Sequence, residues 1–139
     1  PGRGTPDMTR LRIAPVALAA ALALTACVGG PAVPTPIAPI STKQLRIYGV
    51  RAYLQSRGLL VMGQVRRPPL DLGPLWGHLH VTASFRDGRP PLVVDTRWGT
   101  ISPRGVRSAL FAAVLRTQDP GQIELVRVEY RPVSDDRHA

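Results

Sequence analysis

The chain has 139 residues, with 18 basic and 9 acidic side chains, a formal net charge of +9 and one cysteine. A single cysteine cannot form an intrachain disulfide, so a small disulfide-stabilised scaffold is excluded. The length leaves space for one small folded domain besides any targeting segment, and the basic excess favours anionic partners.

The N-terminus has the segment order of a secretory signal. Met8 is followed by a short basic stretch, residues 9–12, and then by an uncharged apolar run, residues 13–24. A membrane-spanning helix needs about 20 mostly apolar residues, and this run is shorter and contains a proline near its start. The pattern therefore indicates export followed by cleavage. Residues 1–7 fit neither region.

The cleavage region resembles the lipobox of bacterial lipoproteins. Leu24-Thr25-Ala26-Cys27 joins an apolar residue, two small residues and the single cysteine directly after the apolar run. The resemblance implies that signal peptidase II removes residues 1–26 and that the Cys27 thiol carries diacylglycerol. Because Val28 and not an aspartate follows, enteric sorting rules favour the outer membrane by analogy.

The expected location is therefore the bacterial cell envelope, with the protein lipid-anchored and facing the periplasm. Two or three acyl chains hold a protein at a bilayer. The covalent lipid on Cys27 would be the only non-protein group, and no other cofactor is expected.

Residues 27–44 have the composition of a linker. Their four prolines, at positions 31, 34, 36 and 39, remove backbone donors and favour extended polyproline conformation. At about 3 Å per residue, such a segment would hold a folded domain a few tens of Å from the bilayer. A proline-rich recognition motif is the alternative, but residues 31–39 lack the basic or aromatic flanks of one.

The folded part is predicted as a single domain over residues 45–132, followed by a polar tail at residues 133–139. Strict alternation of apolar and polar residues over 78–86 predicts a half-buried strand. Its apolar face comprises Leu79, Val81, Ala83 and Phe85. Further extended segments are predicted at 45–54, 59–66, 92–98 and 122–131. Trp76 and Trp98, next to strand ends, are expected to pack in or over the core.

Turn-forming pairs separate these segments. Asp87-Gly88, after the alternating strand, indicates a hairpin with residues 92–98. Pro120-Gly121 marks the turn into the last strand. Gly49 and Gly63 lie inside strand patterns, where glycine indicates a β-bulge or the close approach of another group to the backbone.

Residues 105–116 admit two interpretations. Ser102-Pro103 has the pattern of a helix start, and residues 109–115 have high helix propensity. Gly105 in the first turn weakens a helix, and the strands on both sides favour a sandwich. The strand interpretation places five side chains inward: Val106, Ser108, Leu110, Ala112 and Val114. We therefore predict an antiparallel β-sandwich of six to seven strands, with an α+β fold containing one helix near 103–116 as the alternative.

Four patterns follow one another in this domain. They are residues 63–66, residues 77–81, Asp87-Gly88, and Pro120-Gly121 leading into residues 126–130. Their order resembles that of small uncharacterised immunoglobulin-like or transthyretin-like periplasmic domains of bacterial lipoproteins, over most of residues 45–131. These are strand and turn patterns, so the resemblance implies a fold and assigns no activity.

His78 and His80 are the sharpest candidates for a binding site. Side chains two residues apart on a strand point to the same face, so both imidazoles are within reach of one metal ion. A third ligand is needed, and the donors by residue type are Met62, Asp95 and His138. The simpler interpretation is that both histidines are solvated polar residues on the wet face of the strand.

No pattern in the sequence indicates catalysis. The chain contains no Gly-x-Ser-x-Gly elbow, no His-Glu-x-x-His motif and no phosphate-binding glycine loop. The adjacent carboxylates Asp135-Asp136 lie in the polar tail, where solvation is expected. We therefore expect no enzymatic activity and assign no catalytic residue.

The net positive charge of the chain after the leader favours an anionic partner in the envelope. The leader holds three arginines and one aspartate, which leaves 15 basic and 8 acidic residues. Phospholipid head groups, lipopolysaccharide phosphates and acidic wall polymers are then the candidates, and solvated charge on strand faces is the alternative. Nucleic-acid binding is not expected of an exported protein that lacks aromatic residues interleaved on a basic strand.

Two functional hypotheses follow. The first is a non-enzymatic, membrane-anchored envelope lipoprotein that binds or scaffolds another envelope component, either an anionic surface or an envelope protein. The alternative is a periplasmic metal-binding module that uses His78 and His80.

Overall fold

The computed structural model describes Gly2 and residues 30–133. Cys27 with the rest of the lipobox-like sequence, His138 and Asp135-Asp136 lie outside the described residues. The described strands are β1 (Ala32–Val33), β2 (Ile37–Ile40), β3 (Arg46–Gln55), β4 (Gly58–Arg66), β5 (Gly77–Phe85), β6 (Leu92–Thr96), β7 (Ser108–Arg116) and β8 (Ile123–Pro132), with a 3-10 turn at Pro120–Gln122. Within this part of the chain, no helix is long and apolar enough to cross a membrane.

The strands form two four-stranded sheets. One sheet has the order β1-β3-β4-β7 and the other has the order β2-β8-β5-β6. Neighbouring strands run antiparallel, except that β2 and β8 are parallel. The predicted β-sandwich is therefore confirmed. The alternative with a helix near 103–116 is wrong, because Ser108–Arg116 forms β7.

The core lies between the sheets and follows the alternation in the sequence. Leu79, Val81 and Ala83 on β5 are fully buried, as their period of two predicts. The same core contains Val126 and Val128 on β8, Val61 and Val65 on β4, Leu115 on β7 and Leu45 just before β3. Each large aliphatic side chain buried in this way contributes about 1.5–3 kcal/mol. In each alternating strand, burial of the apolar side chains therefore determines which face packs against the core.

The predicted β5–β6 hairpin forms, and it fixes the register of the outer face. Leu79 pairs with Thr96 at one end of the ladder, and Ala83 pairs with Leu92 at the other. Gly88, with φ of 75°, donates its N–H to the Phe85 carbonyl at 3.4 Å. This conformation favours glycine in the connecting loop.

Gly49 and Gly63 have the two roles predicted for glycine inside a strand, a β-bulge and the close approach of another group. Gly49 has φ of 60° and lies at a register shift between Tyr48 and Arg51, which is a β-bulge. Gly63 pairs with Phe111, and a Cβ at residue 63 would lie 2.8 Å from the phenyl ring. The missing side chain therefore makes room for the buried Phe111.

The inward face of β7 differs from the prediction. The buried side chains are Ala109, Phe111, Ala113 and Leu115. Leu110 and Val114, predicted inward, are 62% and 39% exposed. The register with β4 is the cause, because it pairs Ala109 with the fully buried Val65. Both alternating sets of β7 contain mostly apolar residues, so the period alone could not distinguish the two faces.

The segment predicted as a linker, residues 27–44, contributes two strands to the sandwich. β1 pairs with β3, and β2 pairs with β8. The Val126 N–H donates to the Pro36 carbonyl at 2.9 Å. Pro39 is tolerated because β2 is an edge strand, where its missing N–H can face the open side. The predicted boundary at residue 45 is therefore corrected, and the sandwich begins at β1.

Candidate metal site

Two histidines project from the outer face of β5. Because alternate side chains of a strand point to opposite faces, the burial of Leu79 and Val81 turns His78 and His80 away from the core. The two ring centroids lie 6.5 Å apart, and the ring planes are inclined by 64°. Both imidazoles therefore share one surface, as the sequence predicts.

Asp95 completes a cluster with the two histidines. The β5–β6 register sets Asp95 directly opposite His80. Its Oδ1 lies 2.7 Å from His80 Nδ1 and 3.5 Å from His78 Nε2. Of the other donors considered from the sequence, Met62 lies on β4 in the opposite sheet, and His138 is outside the described residues. Asp95 is the candidate that the fold brings to the histidines.

The spacing of the ligand atoms suits a small transition-metal ion. Two ligand atoms bound to a tetrahedral ion at about 2.1 Å are about 3.4 Å apart. The distances from Asp95 Oδ1 to the two imidazole nitrogens lie on either side of that value, and all three atoms lie within 4.8 Å of one another. Small side-chain rotations would therefore place all three around one ion.

The strand on the other side of β5 adds two charged residues. β8 places Glu129 opposite His80 and Arg131 opposite His78. Glu129 Oε2 and Arg131 Nη2 lie 3.7 Å apart, so part of the guanidinium charge is balanced. His80 thus has a carboxylate-bearing residue opposite it on each neighbouring strand, and the charge of one of them, Glu129, is shared with Arg131.

Glu129 was not singled out from the sequence. Its partner strand β5 is far from β8 along the chain, and no local pattern predicts the register between the two. The one available signal is the alternation of β8, which puts Glu129 on the outer side of that strand.

Solvent reaches the cluster. The exposed side-chain fraction is 18% for His80, 34% for His78 and 56% for Asp95. Three protein ligands leave at least one position of a tetrahedral ion open, so water or another ligand would complete the coordination. The His80 imidazole Nδ1 donates to the Asp95 carboxylate, which orients both side chains before an ion binds.

The two tryptophans lie outside this cluster, and only one packs as predicted. Trp98 is half-buried, with its ring centroid 5.9 Å from that of Tyr130. Trp76 is 71% exposed, which corrects the expectation that it packs in or over the core. Its carbonyl accepts a 2.9 Å hydrogen bond from the Tyr130 hydroxyl, so the backbone is held while the indole points outward.

Asp87, Arg89 and Tyr130 have shifted pKa values. Hydrogen bonding to the Arg89 guanidinium lowers the pKa of Asp87, and the same contact raises the pKa of Arg89. Burial raises the pKa of the Tyr130 phenol. Arg89 also reaches Asp119 at 3.2 Å, which ties the β5–β6 loop to the turn before β8. These contacts stabilise the fold.

The fold and the cluster define a small β-sandwich domain with a surface His-His-Asp site. Comparison with known proteins gives no matching family model, curated protein or solved structure. The function therefore has to be argued from the chemistry of the site.

Proposed function

We propose that this chain is a metal-binding module of the bacterial cell envelope that holds one divalent transition-metal ion at His78, His80 and Asp95. One observation carries the proposal. Three side chains of metal-ligating type, contributed by two paired strands, place their ligand atoms within 4.8 Å of one another on the surface of the sandwich.

The ligand types limit the choice of ion. Two imidazole nitrogens and one carboxylate oxygen suit Zn²⁺, Cu²⁺ or Ni²⁺, whereas Ca²⁺ and Mg²⁺ favour sites made of oxygen atoms. Cu⁺ favours thiolate and thioether ligands, and the cluster offers neither. The exposure of Asp95 leaves an ion at this site accessible to a further ligand from solvent or from a partner.

The module is proposed to be lipid-anchored and without enzymatic activity. Support for the anchor is the lipobox-like sequence that ends at Cys27. Because β1 begins at Ala32, the chain between Cys27 and the first strand spans at most about 18 Å. The anchor would therefore hold the sandwich close to the bilayer. A linker extending to residue 44 would have allowed a much greater distance.

Binding or scaffolding of another envelope component is the second candidate function. It is favoured by a different part of the molecule, where large apolar side chains on one loop are exposed: Leu70, Leu72 and Trp76. Exposed apolar groups that lie together commonly mark an interaction surface. The two functions are compatible, because the three ligand side chains lie on β5 and β6, outside residues 67–76.

Metal uptake by the purified full chain tests the proposed function. The protein is stripped with a chelator, dialysed against Zn²⁺, Cu²⁺ or Ni²⁺ and analysed for metal content and for binding by titration calorimetry. We expect one ion per chain. His78→Ala, His80→Ala and Asp95→Asn should each weaken binding by about 100-fold, since each removes one of three ligands.

Two matched variants separate ligation from general effects of charge. Asp119 has a 57% exposed side chain and an ion-pair partner, so Asp119→Asn imitates Asp95→Asn away from the cluster. His138→Ala removes the remaining histidine. Both variants should bind like the original chain. A wild-type chain that takes up no metal, or ligand variants that bind as tightly as the controls, would contradict the proposal.

A further inference from the structure

The loop that joins β4 to β5, residues 67–76, exposes three large apolar side chains. Leu70 is 95% exposed, Leu72 is 82% exposed and Trp76 is 71% exposed. We name this segment the apolar loop. Single exposed leucines are ordinary on protein surfaces, but several on one short segment indicate a contact surface.

The apolar loop is held in its exposed conformation by arginine side chains. The Arg107 guanidinium donates to the carbonyls of Pro68 at 2.7 Å and Pro69 at 3.0 Å, and also to that of Asp71. Arg67 pairs with the Asp71 carboxylate at 3.0 Å. These contacts order the loop before any partner arrives, which reduces the entropy lost on binding.

Backbone strain at Arg107 also indicates that the apolar loop is ordered before a partner binds. Arg107 has φ of 53°, a left-handed conformation that residues with a side chain adopt at a cost. The Arg67 N–H donates to the Arg107 carbonyl at 3.2 Å. Strain of this kind persists where surrounding contacts fix it, and here those contacts are the ones that shape the apolar loop.

Neighbouring segments extend the apolar surface. Val133 is 63% exposed, and its N–H donates to the Trp76 carbonyl at 3.3 Å. Val106 is 62% exposed and directly precedes Arg107 in the chain. The exposed apolar residues at this end therefore come from three separate segments that meet around the loop.

An arginine pair lies where β4 ends and the apolar loop begins. Arg46 on β3 and Arg66 on β4 are directly opposite each other, and both are exposed. Like charges in that relationship repel. Neither side chain forms an ion pair with any residue in the described part of the chain. An anion between the two guanidinium groups would relieve the repulsion, and arginine binds phosphate oxygens with two parallel hydrogen bonds.

We propose that this end of the sandwich docks on an anionic lipid bilayer. Arg46 and Arg66 contact the phosphate head groups, while the apolar loop enters the interfacial region beneath them. Leucine gains from burial there, and the indole of Trp76 suits the boundary between head groups and acyl chains. A protein partner would also bury leucines, but the unpaired arginine charge beside the loop favours a dense layer of phosphate.

This contact is separate from the proposed lipid anchor. β1 pairs with Ala52 and Tyr53 near the end of β3, whereas Arg46 is at the start of that strand. Seven residues of strand separate Arg46 from Tyr53, a distance of about 23 Å. The chain therefore joins the sandwich far from the apolar loop, and an anchor at Cys27 does not by itself bring the loop to a bilayer.

Trp76 provides a natural probe of the proposed contact. The full chain is mixed with phosphatidylglycerol vesicles or with phosphatidylcholine vesicles, each containing lipid brominated near the head group, and tryptophan emission is measured. Trp76→Phe gives the signal of the half-buried Trp98 alone. We expect Trp76 emission to be quenched and shifted to shorter wavelength on phosphatidylglycerol, with little change on phosphatidylcholine.

Variants identify the residues responsible. A double variant with Leu70→Ser and Leu72→Ser should lose the quenching, and a double variant with Arg46→Gln and Arg66→Gln should lose its dependence on anionic lipid. Leu110→Ser is the control, because Leu110 is also an exposed leucine but lies on the outer face of β7. Circular dichroism of each variant checks that the sheets are retained.

Three results would overturn the proposal. The first is Trp76 emission that stays unquenched although the chains sediment with the vesicles. The apolar loop would then contact a protein partner or no partner at all. The second is equal quenching by the two lipids. The third is quenching in the leucine double variant that equals that of the Leu110→Ser control. The measurement is made with a chelator present, so this proposal can fail while the metal site stands.

Discussion

Asp95 on β6 and His80 on β5 face each other across the hairpin, with 2.7 Å between the carboxylate Oδ1 and the imidazole Nδ1. This hydrogen bond uses the two atoms that an ion would bind. An ion bound at His80 Nδ1 would replace this hydrogen bond, and the imidazole proton would move to Nε2, so the neutral ring would keep its one proton.

Acidification should release the metal. Histidine ligates only as neutral imidazole, so protons compete with the ion as the pH falls towards about 5. We expect affinity to fall by at least about tenfold between roughly pH 7.5 and pH 5. Competition with a chromogenic chelator at both pH values measures the change. Equal affinity at the two values would argue against histidine ligation.

The histidine pair was predictable, whereas its surroundings were predictable only in part. The two-residue spacing of His78 and His80 determines their shared face once the strand is recognised. Asp87-Gly88 predicted the hairpin, yet the register that brings Asp95 to His80 depends on the conformation of the whole loop at 86–91. The position of Glu129 depends on packing between distant segments, which no local pattern encodes.

Gly63→Ala should destabilise the sandwich. The new Cβ would lie 2.8 Å from the ring of Phe111, which is buried in a closely packed core. Overpacking of this kind costs about 1–3 kcal/mol of unfolding free energy, measurable by urea denaturation. Gly121→Ala is the matched control, since no atom lies within 4 Å of a Cβ at that position. Adding Phe111→Leu to Gly63→Ala should recover part of the loss, and equal stability of the two alanine variants would contradict the packing argument.

The sequence-based prediction of the fold was wrong where the residue pattern did not distinguish between two possible structures. On β5 and over residues 126–131 of β8, one alternating set is apolar and the other polar, so the buried face was determined. On β7 both sets are mostly apolar, and pairing with β4 decided between them. In residues 31–40 the prolines indicated a linker, but an edge position next to β8 accepts a strand that contains proline.

Removal of residues 30–40 should destabilise the domain strongly. The deletion takes away β1 and β2 and leaves the edge of β8 unpaired, including the N–H of Val126 that now donates to Pro36. A chain starting at Gly30 and a chain starting at Ser41 can be compared by urea denaturation. We expect the shorter chain to lose at least about 2 kcal/mol, since buried backbone groups lose their partners. If the segment were only a linker, both chains would unfold at the same urea concentration.

Tyr130→Phe should change the response of the fold to alkaline pH. The Tyr130 side chain is 5% exposed, its hydroxyl donates to the Trp76 carbonyl at 2.9 Å, and burial raises its pKa. The folded chain therefore retains the phenolic proton at a pH where the unfolded chain releases it, which begins near pH 10. Stability from this group is present below about pH 10 and is lost as the pH rises above that value.

The Tyr130→Phe variant should lose about 1 kcal/mol of unfolding free energy at neutral pH through the missing hydrogen bond, and its stability should decline less steeply at high pH. Urea denaturation at both pH values measures this, with Tyr53→Phe, at a half-buried tyrosine of β3, as the control. A decline in the Tyr130 variant as steep as in the unmodified chain would show that another group governs alkaline unfolding.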